Sequence, residues 1–70
     1  MMSADNVIYV QKAKGKWYAW MDFASTPPRN PRKYCKESFK SRKKAIDHAI
    51  EIYNDLPIVE YGIVFLEERT

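Results

Sequence analysis

The chain has one cysteine, Cys35, so no disulfide can close within it. It has one histidine, His48, which leaves a Cys/His metal site short of ligands. Its two glycines, Gly15 and Gly62, cannot build a glycine-rich phosphate loop. The longest apolar run, Gly62-Ile63-Val64-Phe65-Leu66, is too short to span a bilayer. The opening Met1-Met2-Ser3-Ala4-Asp5-Asn6 has neither the basic region nor the apolar stretch of a secretory signal. These absences point to a soluble protein of a reducing cytoplasm, with no membrane partner, no metal and no cofactor. Seventy residues make one domain, 1–70, near the lower limit of independent folding. With no disulfide or metal, extra stability has to come from good packing or from self-association.

Catalytic groups are equally sparse. Nothing in the sequence marks Cys35 or His48 as an activated nucleophile–base pair. A cysteine in a strand is commonly a small buried hydrophobe. Glu67 and Glu68 sit near the end of the chain, and Asp22 is the one acid in an apolar stretch, suited to pairing with a lysine. The chain therefore reads as a binding protein and not an enzyme.

What the sequence does have is divided charge. Eleven of the twelve Lys and Arg lie between residues 11 and 44, against Asp22 and Glu37 alone. Residues 45–70 hold Arg69 against Asp47, Glu51, Asp55, Glu60, Glu67 and Glu68. A chain divided in this way can form a basic pole and an acidic pole.

The hydrophobic pattern predicts an α+β fold of order β-β-β-α-β. Val7-Ile8-Tyr9-Val10 reads as a strand from Asn6 to Lys12. Ala13-Lys14-Gly15-Lys16 supplies a turn, with Gly15 at positive φ. A second strand follows from Lys16 to Ala24, with Trp17, Ala19, Met21 and Phe23 on one face and Tyr18, Trp20 and Asp22 on the other. Residues 25–33 form a proline-rich basic loop, with Asn30-Pro31 as a turn signal. Tyr34–Phe39 reads as a short third strand. Ser41 is the N-cap of a helix from about Arg42 to Asn54, ended by Leu56-Pro57. Ile46, Ala49, Ile50 and Tyr53 give its apolar stripe, which Ala45, Ile52 and Leu56 widen. Ile58–Glu67 is a last strand that returns to the sheet. The helix then covers one face of an antiparallel sheet, and the last strand pairs parallel to a neighbour.

Two features carry a functional expectation. One helix covers one sheet face, yet large apolar groups occupy both. Trp17, Tyr18 and Trp20 are therefore expected to give an aromatic surface that buries against a second copy or another partner. A second reading has these rings lying flat on an exposed sheet. The other feature is the helix start. Arg42, Lys43 and Lys44 stand in the first turn, where the macrodipole is already positive and each cation costs about 0.3–1 kcal/mol. With Lys40 and Ser41 they resemble an anion site, to which the loop adds Arg29, Arg32 and Lys33. Its guest is a phosphate group or an acidic protein surface.

Three stretches carry a resemblance. Met2-Ser3-Ala4-Asp5-Asn6, Glu60-Tyr61-Gly62-Ile63, and Phe39-Lys40-Ser41 leading to Ala45-Ile46 and Ala49 look like small uncharacterised phage and prophage proteins. That likeness implies a phage-type accessory protein in the cytoplasm of a bacterial host, acting by binding and disabling a host factor such as a defence component. Gly15-Lys16-Trp17-Tyr18-Ala19 followed by Phe39-Lys40-Ser41 also resembles the arm-binding N-terminal domain of tyrosine recombinases, which implies DNA readout by the sheet. The extra strand after the helix departs from that pattern. The expected function is thus an inhibitory binding protein, homo-oligomeric, aimed at a host protein or ribonucleoprotein. The alternatives are a nucleic-acid-binding accessory protein and an oligomeric sponge for a signalling nucleotide.

Overall fold

The computed structural model describes residues 5–70, so Met2-Ser3-Ala4 of the opening motif lies outside the described residues. Strand β1, Asn6–Ala13, pairs antiparallel with β2, Lys16–Phe23. The turn between them holds Lys14 at φ 53° and Gly15 at φ 81°. Two successive positive φ values are those of a type I′ turn, whose twist suits a two-residue hairpin. A one-turn helix α1, Pro31–Tyr34, and a longer helix α2, Arg42–Asp55, follow. Strand β3, Ile63–Phe65, pairs parallel with β1, giving the order β2-β1-β3.

The α+β class and the returning last strand are as the sequence pattern implies; the third strand is not. Tyr34 closes α1, and of Tyr34–Phe39 only Phe39 pairs, with Trp17, through two backbone hydrogen bonds of 2.8 Å. The cause is local. The Asn30 side chain accepts from the Arg32 amide at 3.1 Å, and Pro31 takes the first helical position. A proline there loses no helical hydrogen bond and arrives with a helical φ. Asn30-Pro31 thus starts a helix instead of marking a turn. The last strand is also shorter than Ile58–Glu67. Residues 58–60 are held by Asn6, whose amide donates to the Ile58 carbonyl at 2.7 Å and whose oxygen accepts from the Glu60 amide at 3.2 Å.

Helix α2 begins and ends where its signals lie. Ser41 Oγ accepts from the Lys44 amide at 3.2 Å, and Leu56 is the C-cap. Its buried stripe is rotated from the expected one. Ala45 and Ala49 are wholly buried, with Ile52 beside them, against Ile8, Val10 and Ala19. Ile50 and Tyr53 are nearly half exposed. Two alanines in the contact stripe let the helix backbone approach the sheet closely, and larger side chains at these positions would hold it off. Ala45→Leu should therefore overpack this contact and cost about 1–3 kcal/mol. Ile50→Ala should change stability by less than about 0.5 kcal/mol, since gained helix propensity offsets the small lost burial. Urea denaturation of the two variants checks the rotation; equal costs would contradict it.

Candidate partner-binding site

The face of the sheet away from α2 carries Val7, Tyr9, Ala13, Tyr18 and Trp20. It is not bare. Pro31, wholly buried in α1, together with Cys35 and Leu66, covers it. Trp20 is 3 % exposed and Tyr18 8 %. Trp17 points to the α2 side and packs half-buried in the cluster that includes Phe39. The expected aromatic surface of Trp17, Tyr18 and Trp20 is therefore interior packing, which corrects that reading.

Asp22 holds the cover in place. Its carboxylate is wholly buried. Oδ2 accepts from Trp20 Nε1 at 3.0 Å and from the Arg29 amide at 3.0 Å, and Oδ1 accepts from the Phe23 amide at 2.8 Å. Arg29 Nε lies 3.4 Å from Oδ1, and its guanidinium stacks 4.6 Å from the Tyr34 ring centroid. Burial alone would raise the Asp22 pKa. The hydrogen bonds from Arg29, Trp20 and Phe23, with the Arg29 charge, outweigh burial and hold it below the usual value. Burial, and then the Asp22 charge, pushes the Cys35 thiol up to about 11. A thiol protonated at neutral pH is a weak nucleophile.

This arrangement divides the expected basic zone. Arg29, Arg32 and Lys33 lie on or beside α1, on the Trp20 face, and Arg29 is engaged by Asp22. Lys40, Ser41, Arg42, Lys43 and Lys44 lie at the start of α2, on the opposite face. The two groups thus approach the sheet from opposite faces. The helix start instead meets the hairpin turn. The Trp17–Phe39 bridge sets their chain neighbours Lys16 and Lys40 side by side. Lys14, Lys16, Lys40, Arg42, Lys43 and Lys44 are all exposed at this end, bordered on the β3 edge by Glu67 and Glu68. The signal for Lys14 and Lys16 was present in the sequence. Only the Phe39 bridge, a long-range contact, reveals that they belong with the helix start.

An apolar strip continues this basic end. The Arg42 guanidinium lies 4.7 Å from the centroid of Phe65, which is 49 % exposed. Helical spacing puts Ile46, Ile50 and Tyr53 on the same flank of α2 as Arg42, along β3. Among the described residues no three His, Cys, Asp or Glu side chains gather as a metal site. No helix there is long and apolar enough to cross a membrane.

Asp22→Asn should cost about 1–3 kcal/mol, because an amide must point an N–H at one of three donors. Trp20 should then become more accessible to acrylamide quenching. With the folded-state pKa lowered, the stability from Asp22 is present above its unfolded value near 3.8 and is lost as pH falls below it. Acid titration of both proteins checks this, and equal acid sensitivity would remove the latch role.

Compared with protein-family models, with curated proteins and with solved structures, the chain finds no significant match in any of the three.

Proposed function

We propose that the protein works by binding, docking its hairpin-end basic pole and the adjoining apolar strip onto an acidic face of a partner protein and occluding it. The observation that carries this reading is the Arg42–Phe65 stack, which joins the cations of the α2 start to an exposed aromatic ring. Cations beside exposed apolar rings suit a protein surface, where aromatic and arginine anchors supply most of the binding energy. First-turn cations that oppose the helix dipole support selection for contact over stability. The likeness to small phage proteins extends the reading to a host factor in a bacterial cell, disabled by steric cover.

A second reading, contact with a nucleic-acid backbone, draws on the six exposed cations at this end. Salt separates the two. Phosphate contacts make affinity fall steeply between 50 and 200 mM salt, by factors of about 10³ or more when six are neutralised. Fluorescence anisotropy with single- and double-stranded DNA and RNA at both salt levels would register that loss. Absence of binding to all of them leaves the protein reading.

Arg42→Glu with Lys44→Glu is the direct variant. Each glutamate in the first turn should favour the helix dipole by about 0.3–1 kcal/mol, so melting temperature should hold or rise. Capture of the native partner from bacterial lysate, quantified by mass spectrometry against the unaltered protein, should fall at least tenfold. Undiminished capture by this variant removes the basic pole from the function.

A further inference from the structure

Strand β2 is an edge of the sheet, and its outer backbone groups can be followed one by one. The hydrogen-bonded pairs with β1 are Val7–Asp22, Tyr9–Trp20, Gln11–Tyr18 and Ala13–Lys16, as the two-residue turn requires. The N–H and C=O of Trp17, Ala19, Met21 and Phe23 therefore point away from β1. Trp17 exchanges both bonds with Phe39. Phe23 donates its N–H to Asp22, and its carbonyl accepts from Thr26. Ala19 and Met21 have no backbone or side-chain partner on this edge among the described residues. Ala19 is only 6 % exposed, and nearly buried peptide groups are seldom left unpaired.

A cavity of about 490 Å³ lies along this stretch. Ala19 and Met21 line it from the strand, His48 and Ile52 from α2, and Tyr34 and Lys36 from the outer segment. That segment should have been the third strand. Continuing the antiparallel Trp17–Phe39 pairing would set Glu37 against Ala19 and Cys35 against Met21. Helix α1 draws the segment aside and leaves the strand-shaped space open.

We propose that this edge is a β-augmentation site that accepts an extended, acidic-flanked segment of a partner protein. Main-chain bonds to Ala19 and Met21 would supply affinity, as in other strand-addition complexes. Residues paired with Ala19 and Met21 would face Ile52, and the residue between them would face Trp20 and Tyr34. Charge selects the flanks. Lys16 and Lys40 stand at one end of the space and Lys36 lines it, against Glu37 alone among the lining residues, while Arg29 at the other end is already paired with Asp22. This site shares Lys16 and Lys40 with the basic pole proposed above but not Arg42, Lys44 or Phe65, so the peptide titration and the Arg42→Glu with Lys44→Glu variant report on the two separately.

The test is a titration of ¹⁵N-labelled protein with acetyl-Asp-Val-Thr-Val-Asp-amide. Shifts should centre on Ala19–Met21 and Cys35–Glu37, and amide exchange at Ala19 and Met21 should slow at least tenfold at saturation. A peptide N-methylated at one valine, and a second with lysine in place of both aspartates, should each bind at least tenfold more weakly. No shifts at Ala19–Met21 at millimolar peptide would overturn the proposal, as would equal binding by either control peptide. Slow exchange of both amides in the free protein would also overturn it. Sedimentation would then show whether a second copy, or the chain's own residues 35–37, fills the edge.

Discussion

A single buried carboxylate decides which surfaces this molecule offers. A small sheet with large side chains on both faces needs two covers, and one helix supplies only one. Asp22 obtains the second by anchoring the loop that leads into the one-turn helix α1. Its oxygens take the Arg29 amide and the Trp20 indole together, so the loop's path and the ring's burial are set by the same group. Cys35 then packs against the cluster that holds Trp20 and Tyr9, and Pro31 is buried in the adjoining helix. The charge is tolerable in the interior because three donors and a cation surround it.

Everything offered outward follows from that closure. With Trp20 and Tyr18 inside, the exposed aromatics lie elsewhere, at Phe23, Tyr34, Tyr53, Tyr61 and Phe65. With Arg29 committed to Asp22, the free cations concentrate at the opposite end, where the hairpin turn meets the start of α2. The same loop path that buries Trp20 also draws residues 35–37 away from β2, so covering one face opens one edge.

Much of this was legible where causes are local. The hairpin, the positive φ of Gly15, the Ser41 cap and the stop at Leu56-Pro57 each depend on a few neighbouring residues. The Asn30-Pro31 pair was local too, but it admits two meanings, turn or helix start, and α1 realises the second. In α2, Ala45, Ala49 and Ile52 pack within the expected stripe, but its centre was misplaced because hydrophobicity favours Ile50 and Tyr53, whereas close approach favours the alanines. Among the candidate site residues, Lys40–Lys44 stand together as expected because they are contiguous. Their separation from Arg29, Arg32 and Lys33 was illegible, since it depends on Asp22 reaching seven residues along the chain to the Arg29 amide. The burial of Trp20 was hidden for the same reason.

Lys14 holds a left-handed backbone conformation, φ 53°, that asparagine or glycine adopts far more readily. Lys14→Asn would give the favoured Asn-Gly tip at this position. The lysine there leaves a more robust hairpin unused, and it puts a positive charge at the exposed tip of the hairpin.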